Sequence, residues 1–231
     1  MDEDKLIFFS SSKDNKIGKN KNEFINNPDE YIELNKIKNF RRYLSNFDIY
    51  EFKYNGYSYR TIEHAFQGTK ISLANKEEAF KFTIDSNHDI GLGDGKIARK
   101  NRKLVNLTKE QIKEWDNIKH TIMYDIALEK FKVSSISKDV LLKTNNCQLW
   151  HTFPRMKYPI RCYYLEKIRT YLKEIDLKEI NKKLDIKQKM KYQHFYKITY
   201  WGLRESEKDI TPQEAMKQVS ILWKEYKQSF Q

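Results

Sequence analysis

The stretch LTKEQIKEWDNIKHTIMYDIALEKF, residues 107 to 131, constrains this chain more than any other. Thr108 and Gln111 stand three apart as a capping box, in which each side chain serves the other's orphan backbone N–H. Beyond the cap, Ile112, Trp115, Ile118, Ile122, Ile126 and Phe131 recur at helical intervals, which predicts the longest core helix of the molecule. A helix with one apolar stripe has to be covered by other elements, so the rest of the sequence must supply them.

Upstream, FDIYEFKYNGYSYRT alternates Phe52, Tyr54, Tyr57 and Tyr59 around Asn55-Gly56. Asn-Gly suits the left-handed conformations of a type I′ turn, so a β-hairpin is expected, leading directly into a helix over 62–74. KLIFFS at 5–10 reads as a short strand, and the polar run over 11–39 as a loop or insertion. A second helix is expected over 76–86. NHDIGLGDGK follows as a glycine loop, then the basic stretch IARKNRK. Ser137 is expected to cap a short helix carrying Val140, Leu141 and Leu142, with a further helix over 161–175. The fold class is therefore α+β and predominantly helical.

The charged segment DLKEINKKLDIKQKMK, near 176–190, reads either as a boundary or as a continuous exposed helix, and it divides the chain into 1–175 and 176–231. In the second part Thr211, Pro212 and Glu214 form another helix start. Phe195, Tyr196 and Trp201 before it, with Met216, Val219 and Trp223 after it, are expected to close a small core.

The formal charge of +12 rests on 44 basic residues, mostly lysine, and favours polyanions or phosphorylated small molecules. Cys147 and Cys162 form no spaced cluster, and the five histidines show no metal-helix spacing, so neither a disulfide frame nor a structural zinc is expected. MDEDKLIFF places acid ahead of a very short apolar run, unlike a secretory signal, and nowhere are there 18 consecutive apolar residues. An intracellular, reducing compartment with no membrane association is the expectation.

TIEHAFQGTK, residues 61–70, sets Glu63, Gln67 and Lys70 at i, i+4 and i+7, on one helix face. Those residue types either form a solvated polar face or bracket a substrate. In the second case a carboxylate manages protons or cationic charge while an amine acts as nucleophile or phosphate ligand. Spacing alone leaves both open.

YLSNF at 43–47, the Asn-Gly hairpin, EHAFQGTK at 63–70, EWDNIKHTIMYDIALEKF, and LLKTNNCQL at 141–149 together resemble the conserved blocks of the NADAR (YbiA-like) family, over about residues 6 to 172. The resemblance implies a mainly helical α+β N-glycosidase domain that takes a phosphorylated ribosyl–base small molecule and needs no cofactor. It implies hydrolysis of phosphoribosylamino-pyrimidine intermediates of riboflavin biosynthesis or, in another branch, removal of ADP-ribose from guanine in nucleic acid. A non-catalytic ADP-ribose or nucleotide binder is the rival class. Residue by residue, Glu63 matches the family's glutamate, Lys70 its lysine and Trp115 its tryptophan, the three expected catalytic positions. Ser45 and Asn46 match the small polar pair, and with Gln67 they are expected to bind substrate. Arg99, Lys100 and Arg102 are expected to grip phosphate, as are Arg41 and Arg42 more remotely.

One departure stands out. Where the family carries a D..WG loop, this chain reads CQLWHTFPRMKYPIRCYYLEKIR, so the aspartate expected to assist has no counterpart. Three outcomes are open: the activity rests on Glu63 and Lys70, His151 or an arginine takes over part of the task, or the domain is a binder. The carboxy-terminal segment resembles a short HMG-box-like or YABBY-like unit. With eight basic and two acidic residues between 178 and 204, it is expected either to bind DNA or to serve as a helical appendage.

Overall fold

A computed structural model describes residues 3–8, 16–20, 22–152, 156–206 and 209–228. The elements in chain order are β1 (Lys5–Phe8), α1 (Ile32–Asn35), α2 (Phe40–Tyr43), β2 (Phe52–Tyr54), β3 (Tyr57–Tyr59), α3 (Ile62–Ser72), α4 (Lys76–Phe80), α5 (Asp89–Leu92) and α6 (Gly95–Lys100). They continue with α7 (Lys109–Val133), α8 (Ser135–Lys143), β4 (Gln148–His151), β5 (Ile160–Arg161), α9 (Tyr163–Ser206) and α10 (Pro212–Gln228). The architecture is α+β and predominantly helical.

β1, β4 and β5 form one small sheet in that order. β1 pairs parallel with β4, from Lys5 with Gln148 to Phe8 with His151, and β4 pairs antiparallel with β5. The hairpin forms as the sequence requires, with Phe52 opposite Tyr59 and Tyr54 opposite Tyr57. Asn55 and Gly56 both take positive φ, 47° and 84°, the turn that the dipeptide favours.

α7 starts at the Thr108–Gln111 capping box. The Gln111 amide also donates to Leu73 O at 2.7 Å and fixes the start of α7 against the end of α3. The burial of α7 corrects the expected stripe. Trp115, Ile126, Ala127 and Phe131 are buried, but Ile112 is 48% exposed. Lys130 replaces an apolar residue inside. Fully buried, it donates to Asp48 at 2.6 Å, which is the only way an ammonium is tolerated there. The cap of α8 is Ser134 and not Ser137. Ser134 precedes the first turn, and its hydroxyl accepts from Ser137 N.

Arg41 is also a correction. Its side chain is buried with that of Glu23 in an ion pair of 2.9 Å and donates to Ile7 O and Lys16 O, so it fastens β1 to the following loop and has no charge to offer a phosphate. Arg42 is exposed. Cys147 and Cys162 are free thiols in the core. No helix among the described residues is long and apolar enough to cross a membrane.

The chain divides into two compact units, Met1–Lys173 and Glu174–Gln231. The helix α9 continues through 176–190 without a break. In the second unit, Thr211 and Glu214 form the expected capping box at α10. Its small core holds Ile210, Ala215 and Val219, with Trp223 packed against Tyr192 and Phe195 at 5.2 and 5.0 Å. Trp201 of α9 and Met216 of α10, expected in that core, are instead 57% and 47% exposed; Met216 lies off the face of α10 that runs through positions 215, 219 and 223.

Candidate active site

α3 is anchored before its first turn. Thr61, the cap, accepts from His64 N at 3.2 Å. The buried His64 ring lies 2.8 Å from Ile90 O through Nε2 and 2.8 Å from the Thr61 hydroxyl through Nδ1. A carbonyl only accepts, so Nε2 carries a proton, and burial, which lowers the ring's pKa, favours the neutral form. This ties α3 to α5 and fixes the direction in which its next residues project.

Glu63 follows. Its backbone N–H donates to Asn46 O at 3.0 Å, and its side chain, in a residue only 6% exposed, accepts at Oε1 from Gln67 Nε2 at 2.9 Å. The bond confirms that positions 63 and 67 share a face. Burial raises the carboxyl's pKa, while the Gln67 bond and the charges of Arg99 and Arg102 oppose that rise without cancelling it. Gln67 is buried too, and its Oε1 is the buried side-chain polar atom that has no partner among the described residues.

Around this pair stand groups from five other parts of the chain. Asn46 Oδ1 accepts from the Tyr164 hydroxyl at 3.0 Å, and Asn46 Nδ2 lies 3.5 Å from Met123 Sδ. Burial holds the Tyr164 phenol well above its usual pKa, so it remains a donor. Arg99 is half-buried in the last turn of α6, a helix capped by Asp94, whose carboxylate accepts from Lys96 N and Ile97 N. His151, at the end of β4, packs 5.3 Å from Phe8. Burial first, then the charge of Arg99, push His151 down to about 4. Arg99 thus acts on both Glu63 and His151. Trp115 is buried with its ring 4.8 Å from that of Phe66 in an edge-on contact, at the junction of α3 and α7.

The expected residues divide accordingly. Glu63, Gln67 and Asn46 are joined by direct bonds, and Arg99 and Arg102 act on them through charge. The exposed Arg102 also donates to Arg99 O at 3.1 Å. Lys70 lies one turn beyond Gln67, half-buried, and its ammonium makes no bond to a described residue. Lys100 is exposed. Ser45 is buried with its hydroxyl accepting from Phe47 N at 3.1 Å, which shapes the loop that presents Asn46. Tyr164 and Met123 were missed, since no pattern distinguishes one tyrosine of CYYLEK or one methionine of α7. Of the stretch that stands where the family carries its D..WG loop, residues 153–155 lie outside the described residues.

The NADAR domain model matches residues 23–158, more than half of the chain. The chain belongs to the NADAR family. Glu63, Gln67, Asn46, Arg99 and Trp115 all fall within the NADAR match, whereas Tyr164 lies just beyond it. The chain is also similar to the E. coli protein YbiA, solved by NMR, at 17% identity over 77% of this chain and 89% of that chain, with a TM-score of 0.49. No curated protein matches the sequence. Members of the NADAR family are N-glycosidases.

Proposed function

We propose that this chain is an N-glycosidase that hydrolyses the ribosyl–base bond of a phosphorylated small molecule, a phosphoribosylamino-pyrimidine of riboflavin biosynthesis. The observation that carries the reading is the Glu63–Gln67 pair. Burial raises the pKa of the Glu63 carboxyl and so favours its protonated form, and the unpartnered Gln67 Oε1 beside it costs on the order of 1–3 kcal/mol until a donor arrives. A ribose hydroxyl or a base N–H is such a donor.

The reaction then runs with Glu63 as acid and afterwards as base. Protonated Glu63 gives its proton to the leaving nitrogen as the C1′–N bond breaks, and the resulting carboxylate faces the positive charge that develops at C1′. Water supplies the new C1′–O bond and returns a proton to Glu63, so no other reactant is consumed. Arg99 and Arg102 supply positive charge for the substrate's phosphate, and Asn46, oriented by Tyr164, offers a polar group next to the carboxyl. Lys70 is a phosphate ligand or traps the opened sugar as an imine. Trp115 stacks the base.

The test is to incubate the protein with a phosphoribosylamino-pyrimidine and, separately, with ADP-ribosylated guanine, and to follow free base and free sugar phosphate by chromatography. Release of the pyrimidine that collapses in Glu63→Gln supports the reading. Release only from the guanine compound moves the activity to ADP-ribosyl linkages. Tight binding without turnover makes the domain a binder.

A further inference from the structure

The first unit carries a groove of about 850 Å³, within the size range of small-molecule sites. Its walls come from the middle of α7, from β5 and from the start of α9. Met123, Tyr124, Tyr163 and Tyr164 give it a largely aromatic and apolar lining, while its ionisable side chains other than tyrosine are His120, Arg161 and Lys167. No carboxylate lines it.

Two of those walls belong to both places. Tyr164 and Met123, which line the groove, are the residues that hold the side chain of Asn46. Tyr164 and Met123 are therefore a wall shared by the groove and the side chain of Asn46. Its outer part is built for flat, anionic groups. Arg161 is held in one plane by two 3.0 Å bonds to Glu166, and its guanidinium lies 4.8 Å over the Tyr163 ring. With its charge matched by Glu166, Arg161 offers a stacking face, and Lys167 supplies a positive charge beside the His120 ring. Tyr163 is 60% exposed although it is aromatic, and Lys167 is exposed, so both are available from solvent.

We propose that this groove, which shares Tyr164 and Met123 with the surroundings of Asn46, is a binding subsite for a phosphate-bearing aromatic heterocycle, a ligand of the adenosine monophosphate class. The heterocycle stacks on the Arg161–Tyr163 layer, because every base has a π-face that such a layer accepts, and the phosphate meets Lys167 and His120. The assignment does not depend on the glycosidase reading, since it is a statement about binding.

The test is calorimetric titration of the full chain with adenosine monophosphate, adenosine and ribose 5-phosphate as probes. The monophosphate is expected to bind more tightly than either fragment. Tyr163→Ala is expected to weaken both adenosine and its monophosphate by ~10-fold, and Lys167→Glu the monophosphate alone by ~10-fold, each step of that size being a commonly measured interaction. Both side chains are solvent-accessible and neither touches Glu63, so the variants fold, which circular dichroism checks. Failure of the monophosphate to bind at millimolar concentration, or binding unchanged in both variants, overturns the subsite. In turnover assays, a monophosphate that raises KM and leaves kcat alone assigns the subsite to part of the substrate. An unchanged KM assigns it to a separate ligand. Absence of turnover refutes the glycosidase reading and leaves the binding result standing.

Discussion

Gln67 donates to Glu63 across one turn of α3, Nε2 to Oε1 at 2.9 Å, and in doing so leaves its own buried Oε1 without a partner. A fold optimised only for stability would not bury a carboxyl of raised pKa next to an unsatisfied amide oxygen. Both features are unfavourable in the empty protein and useful in a site that receives hydrogen-bond donors and moves protons.

Glu63→Gln separates the two roles. It removes the titrating proton and keeps the shape, so base release is expected to fall by about 10²–10³-fold, the cost of losing one preorganised electrostatic group. Because burial disfavours the charged form of Glu63, the neutral replacement is expected to leave the melting temperature unchanged or raise it. Chromatographic rates and thermal melts check the pair of outcomes; a variant with full activity would remove Glu63 from the reaction.

Glycine replacement tests how α6 is positioned. At Gly56 a Cβ meets nothing within 4 Å, so Gly56→Ala costs only the strain of φ +84°, about 1–2 kcal/mol, with activity retained. At Gly95 a Cβ would lie 2.9 Å from Phe47 Cα, and backbone does not yield as a flexible side-chain tip does. Gly95→Ala is expected to displace α6 and with it Arg99, raising KM for the phosphorylated substrate as well as lowering stability. Urea unfolding and steady-state kinetics distinguish the two variants.

The buried Lys130–Asp48 pair predicts a non-additive stability effect. Asp48→Asn leaves an uncompensated ammonium in the core and is expected to cost about 3–5 kcal/mol. The double variant Asp48→Asn with Lys130→Met buries no charge and is expected to recover most of that loss. Equal costs for single and double variants, measured by denaturant unfolding, would mean that the pair carries no coupling.

His151 sets an acid limit on stability. Its folded pKa of about 4 lies below the value of roughly 6.5 in the unfolded chain, so between those values the unfolded state binds the extra proton. The contribution is complete above pH 6.5 and is lost as pH falls towards 4, amounting to up to about 3 kcal/mol. His151→Gln is expected to flatten the stability profile in that window, as read from melting temperatures at stepped pH.

The sequence by itself determined the local structure: the Asn-Gly hairpin, the capping boxes at Thr108 and Thr211, the length of α7, and the shared face of Glu63 and Gln67. Each of these is decided within a few residues by backbone conformation or helical spacing, and is therefore legible without the fold. Only the tertiary structure decided that Arg41 is buried against Glu23, that Lys130 belongs inside and Ile112 outside, and that Tyr164, a hundred residues from α3 in sequence, holds Asn46 beside Glu63. Charge and polarity do not show in a linear pattern whether a side chain will find its partner. Desolvation and hydrogen bonding between distant segments set that, and they are also what raises the pKa of Glu63 and leaves Gln67 with an oxygen to fill.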